Sequence, residues 1–341
     1  TSATTGNVTN VGTASNGFAY TLKSNTRAAD YTISVEPGVL TITPRTVLIA
    51  ATDADKNFGS ADPAFAYTVP LGDIGGTMYY SILPADLAGV TVTVNRTGSD
   101  SDVGTYADVL VPDVNATAGV SANYAFTTQS ADLTINPQVV YDLNTTDTVT
   151  GFPQTQWFDL GTSAVVADAT GVKRPGYDLT GWEDATTGDP IALGGAIPAI
   201  GRNYTLKAVW ELTLYDVTYE SGTLNETVYI PANVTGIYYD TAMTVSTNLP
   251  RQSGYDFLYW VTTDIDGNEK QLVPGAAFSM PDNNVTFTAV WDPRSSPVYY
   301  HANGADGGTV EDGRYFTDSL VTVKGSMFSR PGYRFLGWSE A

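Results

Sequence analysis

Apolar and polar residues alternate along this chain in short runs. Tyr204-Thr205-Leu206-Lys207-Ala208-Val209-Trp210 and Val285-Thr286-Phe287-Thr288-Ala289-Val290-Trp291 repeat with period two, the pattern of a strand with one face in a core. Leu40-Thr41-Ile42 and Leu133-Thr134-Ile135 alternate in the same way, and Pro44 and Pro137 follow two residues later, where a residue without an N–H ends a hydrogen-bonded ladder. Thr, Ser, Asn, Gly and Tyr take the place of long-chain helix formers, a mixture that favours strands and turns. The pattern predicts an all-β or β-rich chain.

These strands recur. Val11-Gly12-Thr13, Asp30-Tyr31-Thr32-Ile33 and Gly38-Val39-Leu40-Thr41-Ile42-Thr43-Pro44 are followed in the same order by Val103-Gly104-Thr105-Tyr106, Asn123-Tyr124-Ala125-Phe126 and Leu133-Thr134-Ile135-Asn136-Pro137. The offsets are 92 to 93 residues. One complete module then spans 45–137, and residues 1–44 form the C-terminal half of a preceding copy. The complete module opens on Lys56-Asn57-Phe58-Gly59 and Asp62-Pro63-Ala64-Phe65-Ala66-Tyr67-Thr68-Val69. Gly59 can take a positive φ, Asp62-Pro63 favours a turn, and Phe65, Tyr67 and Val69 are expected to share one strand face.

A second set aligns without gaps. Pro175-Gly176-Tyr177-Asp178-Leu179-Thr180-Gly181-Trp182, Ser253-Gly254-Tyr255-Asp256-Phe257-Leu258-Tyr259-Trp260 and Pro331-Gly332-Tyr333-Arg334-Phe335-Leu336-Gly337-Trp338 lie 78 residues apart. A Val-x-Tyr strand precedes each, at Val139-Val140-Tyr141, Val217-Thr218-Tyr219 and Val298-Tyr299-Tyr300, and the first two copies close on the strands ending in Trp210 and Trp291. The expected modules are 138–212, 213–293 and a truncated 294–341. The linkers between them are short, and Pro restricts three of the four, which favours a semi-rigid, elongated array.

The first set, with its aromatic-Gly pair Phe58-Gly59, its Asp62-Pro63 and the aromatic strand after it, resembles the MBG domain of bacterial surface proteins. The second resembles the Listeria-Bacteroides repeat, or internalin B-repeat, with its Gly-Tyr-x-Phe-x-Gly-Trp signature and a downstream Ala-x-Trp. Ser253, Leu179 and Tyr259 depart from that signature. The resemblance implies small Ig-like or β-grasp-like modules in a Gram-positive cell-surface, cell-wall or secreted protein of adhesin type.

Charge and chemistry narrow the function further. Sixteen Lys and Arg stand against 36 Asp and Glu, a formal net charge of −20, which repels nucleic acid and anionic membrane surfaces. No apolar run approaches a membrane span, and with no cysteine there is neither a disulfide nor a thiol nucleophile. The single histidine, His301, precedes a turn and has no partners for a triad or zinc site. The acidic turns Asp53-Ala54-Asp55, Asp100-Ser101-Asp102 and Asp264-Ile265-Asp266-Gly267-Asn268-Glu269 lack the spacing of an EF-hand and read as solvated turns. The repeated tryptophans read as core rather than as a sugar platform. Trp157, outside the shared pattern, is the candidate ligand contact. Catalytic, cofactor and metal residues are expected to be absent.

The expected function is a non-catalytic extracellular stalk segment that projects or supports adhesion, with neighbouring modules of a longer chain as its first partners. The alternatives are modules that themselves bind a host glycoprotein or protein, and an accessory region of a cell-wall enzyme whose catalytic domain lies elsewhere.

Overall fold

The structure is a computed structural model describing residues 2–4, 6–222, 227–264 and 266–340. It is β-rich, with 46% strand and 3% helix, as the period-two runs require. The chain divides into two compact units, one of Thr1–Asn144, Pro153–Ala169 and Gly181–Val209, the other of Thr145–Phe152, Thr170–Thr180 and Trp210–Ala341.

In the first unit, β1 (Gly12–Asn16) and β2 (Gly38–Ile42) form an antiparallel pair. The alternation in β2 predicts half burial, yet Val39 is 69% exposed. Among the described residues its one partner strand is β1, which leaves that side chain open.

The next strands are β3 (Arg45–Ala51), β4 (Ala54–Asn57), β5 (Tyr67–Thr68), β6 (Val90–Arg96) and β7 (Gly104–Ala116), then the single helical turn α1 (Ala118–Ser121), β8 (Tyr124–Gln129) and β9 (Ala131–Asn136). They build a four-stranded sheet of order β6-β7-β9-β4 and a three-stranded sheet of order β8-β3-β5. Val47 to Ala50 form an unbroken buried run in β3, as a strand covered on both faces does. Val47, Ile49 and Tyr124 make one core cluster, and Leu110, Ala131 and Leu133 another.

Gly59 adopts φ +77°. Phe65, Tyr67 and Val69 do not share a face. Phe65 packs with Leu110 and Leu133, Val69 packs with Val47 and Ile49, and Tyr67 is 43% exposed. The strand here is only two residues long, so period-two alternation does not extend through Phe65 and Val69.

β10 (Gln138–Asp142), β11 (Gln156–Trp157), β12 (Tyr177–Asp184), β13 (Pro190–Ile191) and β14 (Tyr204–Leu212) form a sheet of order β11-β10-β14-β12-β13. The second unit repeats it with β15 (Leu214–Glu220), β16 (Val234–Tyr238), β17 (Tyr255–Thr263), β18 (Glu269–Leu272) and β19 (Val285–Pro293), in the order β16-β15-β19-β17-β18. In both sheets the closing strand is central and parallel to the Val-x-Tyr strand. Tyr141 lies opposite Leu206 and Tyr219 opposite Phe287.

One side chain fixes that register in each copy. Asn203 Oδ1 accepts from the Gln138 N–H at 2.9 Å, and Asn284 Oδ1 accepts from the Asp216 N–H at 2.9 Å. Each Asn thereby satisfies a donor just ahead of the opening strand's Val. In the third copy, β20 (Ser295–Val298) pairs with β21 (Gly313–Phe316). Leu320 and Leu336 are 97% and 84% exposed.

Candidate contact site

The repeated Tyr and Trp form the same clasp three times. Ring centroids lie 4.7 Å apart for Tyr141–Trp182, 5.0 Å for Tyr219–Trp260 and 4.8 Å for Tyr300–Trp338. Each Tyr hydroxyl accepts one backbone N–H, from Ala167 at 2.7 Å, Ser246 at 2.8 Å and Lys324 at 3.0 Å. In the first and third copies the indole N–H donates to the carbonyl of that same residue, Ala167 at 2.8 Å and Lys324 at 2.7 Å. The pair thus grips both polar groups of one loop residue, which could not otherwise be buried without cost. In the second copy the Trp260 Nε1 has no partner among the described residues. Trp182 and Trp260 are fully buried, and burial pushes the Tyr141 and Tyr219 hydroxyl pKa values up. The Tyr141–Trp182 and Tyr219–Trp260 pairs are core, whereas Tyr300 and Trp338 are half-buried.

Trp157 is placed differently. It sits on β11, a two-residue edge strand, and is 47% exposed. Its neighbours are fixed: the Tyr141 hydroxyl donates to Gln156 Oε1 at 2.5 Å, the Phe158 N–H to the Pro137 carbonyl at 3.1 Å, and the Leu160 N–H to Asn136 Oδ1 at 3.0 Å. Asn136 is itself buried, and its Nδ2 donates to Asp55 Oδ2 at 3.2 Å. The indole is therefore held on a rigid strand with about half its surface open. Such a ring can stack on a pyranose face or an apolar side chain.

The acidic turns serve the backbone. Asp53 Oδ1 accepts from the Asp132 N–H at 2.9 Å, and Asp264 Oδ1 accepts from the N–H groups of Asp266 at 3.1 Å and Asn268 at 2.8 Å; Ile265, within that turn, lies outside the described residues. Hydrogen bonds from Asn268, against a smaller burial effect, keep the Asp264 carboxyl below the ordinary range. The Asp102 carbonyl accepts from the Tyr106 hydroxyl at 2.9 Å. His301 is exposed. Among the described residues, no three acidic or histidine side chains gather in a group able to hold a metal.

The sequence reading missed Asp184. It is buried at the end of β12, where its carboxylate accepts from the Thr186 N–H at 3.0 Å, the Thr187 hydroxyl at 3.1 Å and the Arg202 guanidinium. Arg202 in turn lies 3.8 Å over the Tyr204 ring. Burial opposes ionisation of Asp184, but the Thr186, Arg202 and Thr187 hydrogen bonds outweigh it and hold the carboxyl below the ordinary range. Asp184-Ala185-Thr186 is an Asx-turn sequence, which was the available signal; the ion pair with Arg202 had none.

Sheets of one order built on one Tyr-Trp clasp define a tandem all-β repeat protein. Residues 47–134 match the model of the MBG domain (YGX type), and residues 215–290 and 297–341 match that of the Listeria-Bacteroides repeat domain. The chain therefore carries an MBG domain followed by Listeria-Bacteroides repeat domains. It is similar to a protein named as a Gly-rich membrane protein of Evansella cellulosilytica, 27% identical over 55% of this chain and 22% of the relative. A second protein of that organism, named as a membrane protein, is 25% identical over 49% of this chain and 24% of the relative. The chain thus spans about a quarter of the length of these relatives. No solved structure matches. The repeat domains suggest a surface or extracellular repeat protein, of families that are typically non-catalytic. Among the described residues, no helix is long and apolar enough to cross a membrane.

Proposed function

We propose that this chain is a non-catalytic segment of a bacterial surface protein, exposed on the cell wall or secreted, that acts as a stalk and carries an adhesive region outward. Its working units are the modules 45–137, 138–212 and 213–293, and its immediate partners are the modules beside them. The observation that carries this reading is where the chain spends its aromatic residues: Trp182 and Trp260 fill the same core position in two consecutive copies. One-residue connections join β9 to β10, β14 to β15 and β19 to β20. Small-angle scattering on the full chain tests the stalk. A compact 341-residue globule would have a radius of gyration of about 20 Å, and the expected value is well above it. A value near the compact one overturns the proposal.

A second reading, that the modules themselves bind host glycoprotein or protein, is favoured by one observation, the half-open Trp157 on a rigid edge strand. A glycan array and a pulldown with host surface protein, run with the parent and Trp157→Ala, separate the two. The stalk reading expects no retention by either protein. Retention by the parent that drops at least tenfold in Trp157→Ala establishes the binding reading instead.

A further inference from the structure

Gly176 and Gly254 open the two Gly-Tyr-Asp triplets, and both adopt positive φ, +77° and +79°. A turn of this kind explains the glycine. It does not explain what meets it. The Gly176 carbonyl accepts from the N–H of Thr213 at 2.9 Å, and the Gly254 carbonyl from that of Arg294 at 2.8 Å. Thr213 and Arg294 are equivalent linker residues, each three past the closing Trp.

The Asp of each triplet takes the side chain of that linker residue. Thr213 Oγ1 donates to Asp178 Oδ2 at 3.0 Å, and Arg294 Nε donates to Asp256 Oδ1 at 2.7 Å. The following copy then closes over the glycine. A Cβ on Gly176 would lie 2.8 Å from Tyr239 Cβ, and one on Gly254 would lie 2.6 Å from Thr317 Cγ2. Tyr239 and Thr317 are equivalent positions, 78 residues apart, and each precedes an Asp at positive φ, Asp240 at 59° and Asp318 at 60°.

Further bonds differ in detail and serve the same contact. Asp282 Oδ1 accepts from the Gly176 N–H at 2.7 Å and the Tyr215 hydroxyl at 2.6 Å. Thr317 Oγ1 donates to the Gly254 carbonyl at 2.7 Å, and the Tyr255 hydroxyl donates to Asp318 Oδ2 at 2.6 Å. In the third copy, Gly332 has φ +82° and, among the described residues, nothing within 4 Å of its added Cβ, and Arg334 stands in the Asp position.

We infer that the Gly-Tyr-Asp triplet is a docking socket for the next copy of the repeat, binding its linker through Asp and its turn at Tyr239 or Thr317 through the bare face of Gly. The socket and the turn it receives are different surfaces. The joint is therefore heterologous and head-to-tail, and one geometry serves each added repeat. This goes beyond the stalk reading and does not depend on it, because the contacts are local to each pair of copies.

The third copy supplies the control. Gly254→Ala and Gly332→Ala carry similar backbone strain, but only the first meets a neighbour. The chain has no cysteine, so spin labels at Glu269→Cys and Glu311→Cys are unique, and double electron–electron resonance on the full chain reads the joint. The expected parent result is one narrow distance distribution, broadened by Gly254→Ala and unchanged by Gly332→Ala. A broad parent distribution, a narrow Gly254→Ala distribution, or equal broadening by Gly332→Ala overturns the inference. Asp256→Lys serves where Gly254→Ala does not fold. It sets two cations side by side on exposed side chains, and amide exchange at Arg294 should rise at least tenfold with near-ultraviolet dichroism unchanged; unchanged exchange overturns the socket.

Discussion

Trp260→Ala is expected to unfold the copy it sits in, at a cost of about 3–5 kcal/mol. The indole is fully buried and lies 5.0 Å from the Tyr219 ring and 5.1 Å from the Phe257 ring, in a cluster that includes Val217, Ile237, Met280 and Phe287. Truncation leaves a cavity in a module of about 78 residues, into which the packed neighbours relax only partly. The effect is to be read locally, since several modules in one chain do not share a single unfolding transition. Amide exchange at Tyr219 and Ala289 should accelerate strongly while that at Val47 and Ile49 stays at the parent rate.

The same position separates packing from hydrogen bonding. Trp182 donates its indole N–H to the Ala167 carbonyl, whereas that of Trp260 has no partner among the described residues. Trp182→Phe should therefore cost about 1 kcal/mol more than Trp260→Phe. Equal costs would show that the indole bond contributes nothing net.

Asp184→Ala is the second large effect, expected at about 2–3 kcal/mol, because it removes at once the hydrogen bonds that the Thr186 N–H, the Thr187 hydroxyl and the Arg202 guanidinium make to one buried carboxylate. The pH dependence follows from the direction of its shift. Burial raises the Asp184 pKa, and the three hydrogen bonds lower it by more, so the folded value lies below that of the unfolded chain. The charged form is then the one that folding favours. Its contribution is full above the unfolded value of about 3.9 and is lost as the pH falls through the lower, folded value. Urea titrations between pH 2 and 6, read at the first 78-residue copy, should show the parent losing this increment and Asp184→Asn lacking it. A parent and Asp184→Asn that lose stability in parallel would remove Asp184 from the acid transition.

Much of this architecture was legible in the sequence. Alternation with period two identifies strands because side chains on a strand point to opposite faces, and the 78-residue spacing of Trp182, Trp260 and Trp338 marks the copies. The assignment of the repeated tryptophans to the core rested on that periodicity, and Trp182 and Trp260 are buried. The common face assigned to Phe65, Tyr67 and Val69 assumed a continuous strand. The chain runs as strand only at Tyr67 and Thr68, and the alternation rule has no force outside it.

The candidate site was less legible. Trp157 stood out only as a tryptophan away from the repeats, and its 47% exposure is a property of the edge strand that holds it. Asp184 looked like one acid among 36. Its ion pair joins residues 18 apart through the return of the chain from β12 to the start of β14.

The sequence by itself determined strand positions, the two kinds of repeat and the Gly-Tyr turns, because each follows from local backbone preference or from a spacing that recurs. Tertiary structure alone decided that the closing strand is central, that Tyr and Trp grip one loop residue, and that Gly176 and Gly254 meet Tyr239 and Thr317. The physical reason is that a contact between residues some 63 apart depends on how packed strands bring distant backbone together, and that distance leaves no periodic trace in the residues between.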